Sequence, residues 1–151
     1  IMFRFFYSSK EYILNKELID TSMNIEKIKR ETICDNRGFF LKVMNGYENY
    51  LPKYFGEIYI IQCNKLETRA GHYHQIAIEW FTPIQGSGEL ILIDIVSKEK
   101  EKIWIDCNNP YSIRIDPNIA HLIKCNEKSN LILHAYSSIK YNPSDTFSYK
   151  F

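Results

Sequence analysis

The chain has 151 residues, of which 45% are hydrophobic and 25% are charged. This length and composition predict one compact domain and leave little room for a second. Nineteen Lys and Arg residues against 18 Asp and Glu residues give a formal charge of +1, so no overall field draws the protein to nucleic acid or to an anionic membrane. Small molecules and further copies of the chain are the expected partners.

The cysteines and the N-terminal segment predict where in the cell the protein is located. Cys34, Cys63, Cys107 and Cys125 lie far apart and form no C-x-x-C pair, so we expect free thiols in a reducing environment. The run "IMFRFFY" is too short for a signal peptide, and nothing approaches the ~20 apolar residues of a membrane span. These features predict a soluble cytoplasmic protein that has no membrane partner.

Local patterns divide the chain into an arm and a domain. Ser8 stands three residues before Glu11, a capping-box spacing that predicts a short helix or arm within residues 1–24. From Ile25 onward, short β-rich runs alternate with turn residues. Runs of this length and spacing are typical of antiparallel sandwiches and barrels, so residues 25–151 are predicted to be one all-β domain.

Alternating hydrophobicity assigns faces to some of these strands. In "EKIWIDC", Ile103 and Ile105 are predicted to point to one side and Trp104 to the other. In "YSIRIDP", Ile113 and Ile115 are likewise predicted to share a face.

Three polar groups cluster in "RAGHYHQIAIEW". His72 and His74 are two residues apart, so in a strand their side chains leave the same face, which Tyr73 does not share. Glu79 can reach the same space if the chain bends, and a carboxylate buried among apolar neighbours needs a partner. His121, after the turn "DPN", is the candidate fourth group.

This spacing resembles the two signature motifs of the cupin superfamily. Cupins are double-sheet jelly rolls, so the resemblance implies an all-β cupin jelly roll with a short N-terminal helix or arm. The usual glycine of the second motif is Asn118 here, but Asn tolerates the left-handed backbone that the turn requires. The first motif is matched by His72, His74, Glu79 and Gly86, and the second by Pro117, His121 and, less strictly, Asn126.

Longer stretches narrow the resemblance to particular cupins. "DNRGFF" and "GEIYIIQCNKLETRAGHYHQ" resemble dTDP-4-dehydrorhamnose 3,5-epimerases, and "RAGHYH" is similar to the dTDP-sugar 3,4-ketoisomerases. The tail "YSSIKYNPSDTFSYKF" is similar to cupin domains of capsule and lipopolysaccharide biosynthesis, including zinc-binding ones. The resemblance implies an isomerase or epimerase of a nucleotide-linked 4-keto-6-deoxy sugar, a dTDP-hexose as partner, and a homodimer.

The resemblance also implies residue roles. His72 matches the catalytic base of both enzyme types, and His74 matches a second acid/base of the ketoisomerases. Arg69 and, more weakly, Arg37 are candidates for binding the diphosphate. The late-strand tyrosine acid of the epimerases falls at or beside Ala135, which favours a single-centre epimerase or a ketoisomerase.

A metal centre competes for the same side chains. His72, His74, Glu79 and His121 form a nitrogen and oxygen set that suits one divalent metal, Zn, Fe, Mn or Ni, and no organic cofactor is expected. The metal would polarise the ketone, and His134 would then become the candidate base. A non-catalytic metal- or sugar-binding cupin and a metal-dependent dioxygenase remain the alternatives.

Overall fold

The structure is a computed structural model. It describes residue 23 and residues 25–36, 38–43, 56–126 and 128–151. The arm predicted over residues 1–24 lies outside these ranges apart from Met23, as does Arg37, so both stay predictions. Within the described ranges, no helix combines the length and the apolar character needed to cross a membrane.

The regular secondary structure of the described residues is strand, apart from one short helical turn. The helical element is a 3-10 turn at Pro143–Asp145. The strands are β1 Lys27–Lys29, β2 Thr32–Asp35, β3 Gly38–Leu41, β4 Glu57–Cys63, β5 Thr68–Tyr73, β6 Glu79–Gln85, β7 Ser87–Asp94, β8 Lys100–Asp106, β9 Tyr111–Ile115, β10 Ile119–Cys125, β11 Leu131–Ser137 and β12 Phe147–Ser148.

Two five-stranded antiparallel sheets form a jelly roll. One sheet has the order β1-β9-β6-β11-β4 and the other the order β12-β5-β10-β7-β8, while β2 and β3 pair as a separate hairpin. The strand order interleaves distant parts of the chain, as in a double-sheet jelly roll. The all-β cupin fold predicted from the sequence is therefore confirmed.

The core lies between the two sheets and follows the predicted alternation. Ile103 and Ile105 are 8% and 3% exposed, whereas Trp104 between them is 61% exposed. Ile113 and Ile115 are both buried. Ile103 and Ile105 of one sheet join Ile113, Ile115 and Leu133 of the other in one apolar cluster that holds the sheets together.

An irregularity in β5 sets the direction of the first histidine. His121 of β10 pairs with His72, but Leu122 pairs with Ala70, so Gly71 is an extra residue in β5. Ala70 and Gly71 both have positive φ, +66° and +80°. A β-bulge of this kind turns the strand locally, and here it leaves His72 directly opposite His121.

The turn before β10 has the predicted backbone. Asn118 adopts φ +67°, the left-handed conformation for which a glycine is usual in the second motif. Its N–H donates to the carbonyl of His74 at 2.7 Å, so this turn holds the start of β10 against the end of β5.

Candidate active site

The four residues of the predicted site converge between the sheets. His72 lies in β5, His74 follows its end, Glu79 begins β6 and His121 lies in β10. Their potential metal-ligating atoms all lie within 4.8 Å of one another. Glu79 and His121 are buried, and His72 and His74 are half-buried. Residues far apart in sequence therefore meet in one polar cluster inside an otherwise apolar core.

Glu79 is the centre of this cluster. Its Oε2 lies 3.3 Å from His121 Nε2 and 3.5 Å from His74 Nε2. His72 completes the group, with its ring centroid 4.9 Å from that of His74 and 4.6 Å from that of His121. One carboxylate thus faces two imidazole nitrogens directly, and the third imidazole lies beside them.

Backbone carbonyls fix two of these rings from behind. His74 Nδ1 lies 2.6 Å from the carbonyl oxygen of Asp145, and His121 Nδ1 lies 3.3 Å from that of Ile119. A carbonyl oxygen can only accept, so each Nδ1 carries the proton in these bonds. When the imidazoles are neutral, both Nε2 atoms present lone pairs to Glu79, an arrangement typical of metal-ligating histidines.

Two buried residues of the site differ in charge at neutral pH. Burial opposes ionisation of Glu79, but the adjacent imidazoles of His74 and His121 and the hydrogen bond from Tyr59 lower its pKa to about 2. Burial lowers the pKa of His121 to about 4 against the attraction of Glu79. At neutral pH the site therefore holds an ionised carboxylate beside a neutral imidazole.

The two remaining imidazoles differ in basicity. Burial, followed by the neighbouring His74, lowers the pKa of His72 below its ordinary value. Burial acts in the same direction on His74, but the adjacent carboxylate of Glu79 and the backbone and charge of Asp145 together raise its pKa. His72 is therefore the imidazole of this pair that stays neutral at physiological pH.

A divalent cation fits this arrangement. Glu79 Oε2 and His121 Nε2 are both buried and have no hydrogen-bond partner, although they lie 3.3 Å apart. Two lone pairs that face each other without a proton repel, and buried polar atoms are rarely left unpaired. A metal ion between them would satisfy both atoms, and the nitrogen and oxygen donors suit Zn, Fe, Mn or Ni.

Tyr59 belongs to the site although the sequence did not single it out. Its hydroxyl donates a hydrogen bond to Glu79 Oε1. Burial and then the charge of Glu79 raise its pKa far above the ordinary value, so the phenol stays protonated. Tyr59 of β4 pairs with Ala135 of β11, the position where the epimerase pattern places its tyrosine acid. A phenol therefore reaches the site from the neighbouring strand.

Two cavities open onto the cluster. A cavity of about 480 Å³ runs towards the C-terminal tail and is lined by Lys140, Tyr141 and Asn142. A cavity of about 270 Å³ opens between β4 and β5. His72, Glu79 and Tyr59 line both cavities, so these three side chains are the ones that a ligand entering by either route would meet.

The structure brings Arg69 to the site but not His134. Arg69 lines the smaller cavity and donates from Nη1 to the carbonyl of Gln62 at 3.1 Å. His134 lies in β11 between Leu133 and Ala135, whose side chains belong to the core, so its own side chain leaves the opposite face of the sheet. The geometry gives no support to the expectation that His134 is the base.

The fold and the cluster of three histidines and a glutamate define a cupin-type domain. More specifically, the chain belongs to the polysaccharide biosynthesis C-terminal domain family, whose model matches residues 33–149. No curated protein sequence matches the chain significantly. The family assignment confirms the predicted link to polysaccharide biosynthesis.

Several solved structures share the fold at low sequence identity. A dTDP sugar isomerase from Desulfovibrio desulfuricans is 15% identical, with a TM-score of 0.77 and 83% of each chain covered. A 3,4-ketoisomerase from Helicobacter canadensis is 22% identical, with a TM-score of 0.69, 83% of this chain and 91% of that chain covered. A dTDP-6-deoxy-D-glucose-3,5-epimerase from Legionella pneumophila, in complex with dTDP-4-keto-L-rhamnose, is 18% identical, with a TM-score of 0.69, 83% of this chain and 77% of that chain covered.

Proposed function

We propose that the protein is an isomerase or epimerase of a nucleotide-linked 4-keto-6-deoxy sugar, with a dTDP-hexose as substrate, in surface polysaccharide biosynthesis. The observation that carries this proposal is that His72 and Tyr59, one neutral base and one protonated acid, line the same two cavities beside Glu79. The similarity of the fold to a dTDP sugar isomerase and to a 3,4-ketoisomerase supports the same reaction class.

The reaction needs a base and an acid in reach of the substrate. A ketone at C4 acidifies the neighbouring C–H bonds, so a base can remove the proton at C3 or C5 and leave an enolate. Return of a proton to the same carbon from the other face epimerises it. Protonation at C4 after deprotonation at C3 moves the ketone to C3 instead, when the 3-hydroxyl loses its proton and O4 gains one. Each proton transfer by a positioned side chain contributes about 10²- to 10⁴-fold in rate.

We assign the metal to three of the four residues. His74, Glu79 and His121 would hold it, because Glu79 Oε2 faces these two imidazole nitrogens at 3.5 and 3.3 Å. Three protein ligands leave a coordination position open in catalytic sites. When bound there, a divalent ion supplies Lewis-acid polarisation of the ketone oxygen.

This assignment leaves His72 free to accept the proton. Its lowered pKa keeps the imidazole neutral, and it is the one histidine of the described site that lines both cavities. Tyr59, held by its hydrogen bond to Glu79, would donate the returning proton. Arg69 in the smaller cavity would bind the diphosphate, because its planar guanidinium can pair with two phosphate oxygens.

Exchange of substrate protons with solvent tests the proposed function. The purified protein in D₂O is expected to incorporate deuterium next to the ketone of a dTDP-4-keto-6-deoxyhexose, with proton NMR as the readout. Deuterium at one carbon without product indicates reversible deprotonation, which the mechanism requires. A protein that binds dTDP but exchanges no proton would instead be a non-catalytic sugar-binding cupin.

Removal of the Tyr59 hydroxyl is expected to slow the reaction without unfolding the protein. Tyr59→Phe keeps the ring but deletes the proton donor, so turnover is predicted to fall about 10²- to 10⁴-fold. Tyr111→Phe is the matched control, since Tyr111 lies in β9 and lines neither cavity. Steady-state kinetics of both variants make the comparison, and equal rates would remove Tyr59 from the mechanism.

We also propose that the protein is a cytoplasmic homodimer. Among the described strands, β4 lies at the edge of its sheet, and its outward side chains Ile58 and Ile60 are 52% and 58% exposed. An exposed apolar edge strand favours pairing with another chain. Light scattering on the purified protein measures the oligomeric state, and a monomeric mass would contradict this assignment.

A further inference from the structure

The C-terminal tail contacts the site through one buried residue, Asp145. Asp145 closes the 3-10 turn Pro143–Asp145, and the Asn142 side chain caps that turn by accepting from the N–H of Ser144 at 3.0 Å. The four residues before Asp145 are exposed, whereas Asp145 itself is 3% exposed. The tail is therefore anchored at this residue.

The Asp145 carboxylate binds the segment that links two residues of the cluster. Its Oδ1 accepts from the N–H groups of Gln75 at 2.9 Å and Ile76 at 3.0 Å, and its Oδ2 accepts from that of Ala77 at 3.0 Å. These residues lie between β5 and β6, outside the strand pairing. Hydrogen bonds to an ionised carboxylate are about twice as strong as neutral ones, so Asp145 holds the bend that separates His74 from Glu79.

The main chain of the same residue binds the His74 ring. The carbonyl oxygen of Asp145 lies 2.6 Å from His74 Nδ1, which must donate the proton in this bond. The other ring nitrogen, Nε2, then points at Glu79 Oε2, 3.5 Å away. One residue of the tail thus contacts both the backbone after His74 and the ring of His74.

We propose that Asp145 is a positioning residue: docking of the tail through its carboxylate fixes the tautomer and direction of His74 and thereby sets the affinity of the cluster for a divalent metal. The metal part rests on the proposed function, whereas the tautomer part does not. Side chains that orient a metal-ligating histidine from behind typically change metal affinity by about 10- to 100-fold when they are lost.

Asp145→Asn tests this role with little change in size. The amide has one acceptor oxygen, and its NH₂ group would face backbone N–H groups, so part of the three-bond anchor is lost. Asp94→Asn is the matched control. Asp94 also accepts backbone N–H groups in a turn, from Val96 at 2.7 Å and Ser97 at 3.1 Å, but between β7 and β8 and outside both cavities.

Two measurements compare the variants: the tautomer of His74 and the affinity for Zn²⁺. Nitrogen-15 NMR of the metal-free protein at mildly alkaline pH is expected to show His74 protonated at Nδ1 in the wild type and in Asp94→Asn, and a mixture of tautomers in Asp145→Asn. Competition with a chromophoric chelator is expected to show Zn²⁺ affinity lowered by about 10- to 100-fold in Asp145→Asn only.

The outcomes separate this role from the proposed function. A folded Asp145→Asn protein with the wild-type tautomer and wild-type Zn²⁺ affinity overturns the proposal. If that variant does not fold, Asp145→Ser decides, because its hydroxyl keeps one acceptor without a repelling NH₂ group but removes the charged anchor, and an unchanged His74 tautomer again overturns the proposal. If the wild type binds no Zn²⁺ but its tautomer still depends on Asp145, the positioning role stands and the proposed metal site fails.

Discussion

His72→Gln is expected to lose about 10²- to 10⁴-fold in the rate of proton exchange while it keeps its metal. Glutamine retains polarity and approximate length but cannot take up a proton at neutral pH. The metal is expected to stay because Glu79 directly faces His74 and His121 rather than His72. Deuterium incorporation measures the first effect, and elemental analysis of the purified protein measures the second.

His134→Gln is the control for this variant. Its side chain leaves the opposite face of β11 from the core residues Leu133 and Ala135, so neither exchange nor metal content is expected to change. If His72→Gln loses the metal together with the activity, His72 is a fourth ligand and the base must be sought elsewhere. If His134→Gln loses exchange, the alternative from the sequence, in which His134 is the base of a metal-bound site, is correct and the assignment of His72 is wrong.

Glu79→Gln is expected to have the largest effect on metal binding. The substitution keeps the shape of the side chain but removes the negative charge that faces two imidazoles, and it replaces one acceptor oxygen by an NH₂ group. Loss of a group that merely orients a ligand costs about 10- to 100-fold in affinity, so loss of the only carboxylate in the described cluster is expected to exceed about 100-fold. Chelator competition with Zn²⁺ or Co²⁺ provides the measurement.

Glu89→Gln is the matched control for the loss of a carboxylate. Glu89 lies in β7, where it pairs with Lys102 at 3.6 Å, and it lines neither cavity. Its replacement is expected to leave metal affinity unchanged, because exposed ion pairs contribute about 1 kcal/mol or less to stability. Equal affinities for the wild type and Glu79→Gln would remove the carboxylate from the metal site.

Strand β5 and the residue after it show what a local sequence pattern can predict. His72 and His74 are two residues apart, and a strand places such residues on one face wherever in the fold the strand lies. The motif spacing likewise anticipated Glu79 and His121, which do lie within ligand distance of each other. Alternation also predicted the buried Ile103 and Ile105 beside an exposed Trp104, because one face of that strand contacts the core and the other contacts solvent.

His134 and Tyr59 show where local pattern fails. The run "NLILHAYS" is apolar on both faces, so the sequence gives no alternation that tells which face of β11 is inward. Tyr59 stands between Ile58 and Ile60. From the sequence alone, the two isoleucines could face the core with the tyrosine in solvent, or the reverse. The structure shows the second orientation: both isoleucines are exposed, and the phenol donates a hydrogen bond to Glu79.

The sequence by itself determined the strand content, which depends on periodicity along the chain, and its resemblance to the cupin motifs supplied the jelly roll and the four polar residues of the cluster. Only the tertiary structure decided that Tyr59 faces Glu79, that His134 faces away and that Asp145 anchors the segment after His74. These contacts join residues 20 or more positions apart. They depend on strand register and on the bulge at Gly71, which are set by the packing of the two sheets against each other.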